Sequence, residues 1–201
     1  RFGFNWGQIE GDDAQSENKD QIERNLNFKS SIQEFYGIAE FNFYDYRIGN
    51  EKHFFTLYLF AGLSVFHFNP LGNVGGNSWI ELRPLRTEGQ SKAYPLWQVS
   101  IPFGIGIKIN VAKNVGLGIE WGPRKTFTDY LDDVSDKYPN LSVNPPKGQM
   151  GILMSNRTKY PWSFISGYSR GNRYTKDWYF FTGLTINIRI TYKEPCYATG
   201  M

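Results

Sequence analysis

His53 and His67 are the only two histidines in the chain, the side chains whose ordinary pKa lies nearest neutral. A lipid-cutting barrel hydrolase would need a serine within hydrogen-bond reach of one of them. Ser64 and His67 stand at opposite parity in one strand-like stretch, so they point to opposite faces. His53 falls at a strand end. The geometric requirement for a nucleophile and its base is not met, and no catalytic residue is expected. No glycine-rich phosphate loop or zinc-ligand spacing occurs, so no cofactor or metal is expected either. Asp129, Asp132, Asp133 and Asp136 crowd the start of one long connection. A calcium loop needs convergent oxygens at defined spacing, which this run lacks. These carboxylates, like Asp12 and Asp13, are expected on a solvated loop face. The single cysteine, Cys196, has no partner within the chain. It is either an incidental tail residue or half of an intermolecular disulfide in an oxidising compartment.

The elements that carry these residues are read from side-chain alternation. Over residues 96–111, Trp97, Val99, Ile101, Phe103, Ile105, Ile107, Ile109 and Val111 share one parity. Gln98, Ser100, Pro102, Gly104, Gly106, Lys108 and Asn110 share the other. Successive strand residues point to opposite faces, so one face is apolar and the other polar or small. Residues 33–43, 115–122 and 178–192 repeat the pattern, whereas 54–68 carry aromatics on both faces. Soluble strands average about 5–6 residues, while strands that span a bilayer need about 9–11. Several stretches here sustain alternation for longer than that.

Composition fits the same reading. Aromatic residues make up 17% and glycines number 21, which favours sheet and turns over helix. The net charge of +3 is small and dispersed, so no nucleic-acid partner is expected. No apolar run approaches the ~18 residues a membrane helix requires. The mean hydropathy is −0.47. A barrel with a polar interior is compatible with that average.

Six strands are expected, near 1–10, 30–45, 53–69, 96–111, 115–130 and 177–192. The fold class is all-β, an antiparallel transmembrane β-barrel over 1–192 with a tail at 193–201. Bacterial single-chain barrels have even strand numbers from eight upward. The chain opens within strand-like sequence, so at least two further strands are expected ahead of Arg1. Connections alternate long (11–29, 70–95, 134–176) and short (46–52, 112–114), as extracellular loops and periplasmic turns do in outer-membrane barrels. That order leaves the C-terminus in the periplasm. Arg47, Lys52, Lys113, Lys193 and Cys196 then face the periplasm, and Trp97, Trp121 and Trp178 the outer rim. Glu34, Glu40, Lys108, Glu120 and Arg189 point into a lumen that side chains just fill in a barrel of about eight strands. Buried charges of both signs are expected to pair there, as a plug and not a conduction path.

Several runs resemble the PorG family. They are Gly7-Gln8-Ile9-Glu10-Gly11-Asp12-Asp13-Ala14, Arg24-Asn25-Leu26-Asn27-Phe28, Glu40-Phe41-Asn42-Phe43, Phe66-His67-Phe68-Asn69-Pro70 and Ile101-Pro102-Phe103-Gly104-Ile105-Gly106. Glu120-Trp121-Gly122, the run from Arg124 to Val134 (Arg-Lys-Thr-Phe-Thr-Asp-Tyr-Leu-Asp-Asp-Val), Asp177-Trp178-Tyr179 and Gly183-Leu184-Thr185 extend the likeness. Family members carry a signal peptide and a first hairpin that do not appear in this sequence. The resemblance implies a non-enzymatic barrel in outer-membrane lipid, part of the type IX secretion system, which also serves gliding motility in some bacteria. It implies as partners the periplasmic ring lipoprotein (PorK/GldK-like) and a PorN/GldN-like subunit. A small outer-membrane channel or ligand-binding barrel is the alternative. A soluble lipocalin-like barrel is disfavoured, because it would expose Trp97 through Val111 to water.

Overall fold

The computed structural model describes residues 1–158 and 166–190. In chain order its elements are β1 (Phe2–Asp12), α1 (Lys19–Arg24), β2 (Asn27–Asn42), β3 (Phe55–Gly72), β4 (Ile80–Glu81), β5 (Trp97–Ala112), β6 (Val115–Thr126), α2 (Gly148–Ser155) and β7 (Trp178–Ile188). The strands form one antiparallel, barrel-type sheet in the order β1-β2-β3-β5-β6-β7, with β4 paired to β3. In the β1–β2 ladder, Phe2 pairs with Gly37 and Asp12 with Asn27. The six long strands lie where alternation puts them. A seventh, β4, is added inside the 70–95 connection, where Leu71 pairs with Glu81 and Gly72 with Ile80.

Alternation sorts the side chains strictly. On β3, whose sequence carries aromatics at both parities, Thr56, Tyr58, Phe60, Ser64, Phe66 and Phe68 are buried, and Leu57, Leu59, Leu63 and Val65 are exposed. On β5, Trp97, Val99, Phe103, Ile105, Ile107, Ile109 and Val111 are exposed, while Ser100 is fully buried. The sheet thus hides a face of polar groups and aromatic rings and shows an apolar face of aliphatic and aromatic side chains. Among the described residues, no helix is long and apolar enough to cross a membrane.

The chain resolves into two compact units. The first comprises the described residues of Arg1–Ile38, Gly62–Pro102 and Arg124–Tyr179; the second comprises Ala39–Ala61, Phe103–Pro123 and the described residues after Tyr179. Ile32, Phe66, Phe68, Tyr94, Leu131 and Tyr179 form the core of the first unit, with Ile9, Leu96 and Tyr130 packed against them. Tyr94 and Leu131 lie in connections, so the long loops of this unit pack onto its strands. The rings of Phe68 and Tyr94 stack at 6.1 Å and those of Tyr94 and Tyr130 at 4.6 Å. Offset aromatic stacking at such spacings adds about 0.5–1.5 kcal/mol per pair beyond area burial. The connections also hold short helices. α1 is capped by the Asn18 side chain, which accepts from Asp20 N at 2.9 Å, and it ends at Asn25 in the left-handed region (φ 54°).

Candidate functional site

Buried charge marks the interior of the first unit. Glu34 on β2 is 1% exposed and Arg124 on β6 is 2% exposed. Arg124 Nε lies 3.4 Å from Glu34 Oε1. Tyr179 Oη donates to the same carboxylate at 3.1 Å, and Asn5 Nδ2 donates to its other oxygen at 2.9 Å. One carboxylate therefore gathers a cation and two neutral donors from β6, β7 and β1. Within this unit the sheet curls far enough for its last strand to reach its second. Arg124 continues the inward parity of Gly118, Glu120 and Gly122 beyond the stretch read as alternating, and that parity was the signal that could have found it.

The second unit has its own polar interior. Lys108 Nζ lies 2.5 Å from Glu40 Oε2, and the same ammonium sits 4.3 Å from the centre of the Tyr58 ring. Tyr58 Oη donates to Glu120 at 2.9 Å. The structure thus brings Glu40, Lys108 and Glu120 together around a fully buried tyrosine. Space for that ring comes from Gly106, where a Cβ would collide with it. Arg189 stands apart from these carboxylates. It is exposed just past the end of β7, and its guanidinium donates to the Ile48 carbonyl at 3.1 Å. It belongs with the turns, because at that level the partner within reach is a backbone oxygen.

Those turns form a pinned surface at one end of the second unit. Asn110 Nδ2 donates to the Arg47 carbonyl at 2.9 Å and to the Asn50 carbonyl at 3.3 Å. Asn50 Oδ1 in turn accepts from the backbone N–H groups of Lys52 and His53. Gly49 adopts φ +82° with the Lys113 carbonyl pressed against its Cα, a place no side chain could occupy. Arg47, Lys52 and Lys113 are exposed around this frame. Lys193 and Cys196 lie outside the described residues, as does the 193–201 tail.

The histidines and serine considered for hydrolysis are separated. Ser64 Oγ is buried 2.6 Å from Ser100 Oγ, while His67 sits on the opposite face beside Trp97. Among the described residues, no three His, Cys, Asp or Glu side chains are placed to hold a metal ion.

Asp133, Asp129 and Asp13 are withdrawn from solvent, whereas Asp12 is exposed and Asp136 half-exposed, as a solvated loop face has them. Asp133 is fully buried and accepts from Thr87 Oγ1 at 2.5 Å and Tyr94 Oη at 2.7 Å. Asp129 is buried and accepts from Ser135 Oγ at 2.7 Å. Asp13 is paired with Arg24 at 2.7 Å, and Asp12 accepts from Ala14 N. For Asp133 the solvated reading fails because its partners Thr87, Tyr94 and Arg170 lie tens of residues away, while Asp129 and Asp13 are paired within their own connections, with Ser135 and Arg24. A local run of like charge gives no sign of them.

An antiparallel barrel sheet with an apolar exposed face and a charge-paired interior is the class that fold and site define. The chain belongs to the family described as Domain of unknown function (DUF6089), whose model matches residues 1–156. No curated protein and no solved structure matches it.

Proposed function

We propose that this protein is a bacterial outer-membrane β-barrel, a non-enzymatic component of the type IX secretion system that docks the periplasmic ring of that machine. One observation carries the membrane reading. Along strands of 11 to 18 residues, large aliphatic and aromatic side chains are exposed while charges and hydroxyls are buried. Water-soluble proteins rarely expose contiguous apolar patches beyond a few hundred Å². In lipid the same arrangement places the apolar band against acyl chains and satisfies the backbone between strands.

The docking reading rests on the PorG-like runs, and the pinned turns supply a surface for it. Arg47, Lys52 and Lys113 project from a frame whose backbone is held by Asn110 and Arg189, so little ordering entropy is lost when a partner binds. The contacts expected are with a PorK/GldK-like lipoprotein and a PorN/GldN-like subunit. Affinity purification from outer membranes tests both levels. The protein should fractionate with outer membranes and recover ring subunits, and the triple variant Arg47→Glu, Lys52→Glu, Lys113→Glu should stay in the membrane but lose them. Recovery from a soluble fraction would reject the barrel assignment. Undiminished ring recovery by the triple variant would reject this docking surface.

A further inference from the structure

The long connections of the first unit meet on one guanidinium. Arg170 is 3% exposed. Its Nη1 donates to Glu88 at 3.1 Å and to the Asp133 carbonyl at 2.6 Å, and its Nε donates to the Ser155 carbonyl at the end of α2 at 3.1 Å. Its Nη2 lies 4.0 Å from the Asp133 carboxylate. Arg24, from the first connection, donates to the Arg170 carbonyl at 2.7 Å. Glu88 also accepts from the backbone N–H groups of Ser135 and Asp136. The Arg170 side chain thereby joins the 70–95 connection, the acidic run and α2, and its carbonyl ties in α1.

The charges around it do not balance. Asp13, Glu88, Asp129, Asp132, Asp133 and Asp177 are buried or half-buried in this cluster, against three arginines, Arg24, Arg157 and Arg170. Arg157 donates to Asn27 while facing Asp12 and Asp13, and Arg83 donates to the Tyr94 carbonyl. Asp136 pairs with the exposed Arg173, and Lys176 is exposed beside Asp177. Tyr94, Tyr130 and Tyr138 are the other titratable groups packed here, neutral in the ordinary range. An excess of buried carboxylate is costly when every member is ionised, because charge in a low-dielectric site must be paired or neutralised.

We propose that the long connections form a proton-dependent clasp, closed around Arg170 while Asp132 or Asp133 holds a proton and loosened once both are ionised. Burial pushes Asp132 up to about 7, with the neighbouring Asp177 charge adding to the effect. Burial pushes Asp133 up to about 6 against the pull of Arg170, Thr87 and Tyr94, and Asp177 likewise to about 6. A carboxyl raised above its unfolded value of 3.8 favours the closed state most below that value. The contribution is lost as pH rises through the folded pKa, here between about pH 4 and pH 7.

Hydrogen exchange on the purified full chain in detergent, corrected for the intrinsic pH dependence of exchange, tests this at about pH 5 and about pH 8. Segments 83–94, 129–138 and 166–177 should lose at least about tenfold in protection at the higher pH, while the β5 segment 97–112 keeps its own. Asp132→Asn, whose amide oxygen can still accept from Val134 N as the carboxylate does, should blunt that loss. Equal loop protection at both pH values in the wild type would overturn the clasp. So would a parallel loss in β5, or a full loss in Asp132→Asn with β5 protection intact.

Discussion

Arg124 and Glu34 hold opposite charges where both side chains are almost wholly buried, and that sets the energy scale of this interior. Removing one partner of such a pair strands the other charge in a low-dielectric site, at a cost of about 3–5 kcal/mol. Arg124→Met should therefore lower the urea midpoint steeply. Glu34→Leu with Arg124→Met should recover part of the loss, because no lone charge stays buried, although Asn5 Nδ2 and Tyr179 Oη lose their acceptor. A double variant as unstable as the single one would show that the pair acts through something other than charge. The interior glycines offer a gentler probe. Gly106→Ala should destabilise by about 1–3 kcal/mol, since its methyl must displace the buried Tyr58 ring. Gly7→Ala, with nothing near a Cβ, should not. Parity alone makes Glu34, Glu40, Lys108 and Glu120 legible as inward-facing residues. Arg124 is not read with them because Pro123 and Lys125 break the clean alternation around it, although its parity is unchanged.

At the scale of elements, a period of two survives every change of residue type, so the six long strands can be read from sequence to within a few positions. α1, α2 and β4 cannot. Lys19–Arg24 and Gly148–Ser155 are too short for a helical stripe to repeat, and β4 is a two-residue pairing that exists only because β3 runs on beside it. The packing of the acidic run is equally hidden, since Asp133 finds Thr87, Tyr94 and Arg170 across long sequence separations. The exposed face of β5 lets one substitution separate two environments. Ile107 is 43% exposed between Ile105 and Ile109 on that face. A lysine there would be nearly neutral if the face met water. Against acyl chains it should cost about 2–4 kcal/mol near the bilayer midplane. Unfolding from lipid vesicles, Ile107→Lys against wild type, reads the difference directly, and an unchanged free energy would count against a lipid-facing β5.

For the whole molecule, the question the interior poses is whether anything passes through it. Barrels of about eight strands enclose a space that side chains just fill. In the first unit the buried face carries the Glu34–Arg124–Tyr179 network together with the Phe66 and Phe68 rings. In the second it carries Tyr58, Phe60 and the Glu40–Lys108 pair. A conducting lumen needs a continuous wet path, with charges held at its wall and facing water. Here the charges face one another instead, and aromatic rings occupy the space between glycines that would otherwise be open. Each filled layer is also costly to empty, because opening it breaks an ion pair and exposes a buried ring together. Protein reconstituted into planar bilayers should accordingly give no stepwise single-channel current at moderate voltage. Tyr58→Ala combined with Lys108→Ala removes both the ring and the cation from the second unit's interior, and it should raise leakage above the wild-type level. Discrete, reproducible conductance from the wild-type chain would contradict a filled interior and favour a channel over a docking barrel.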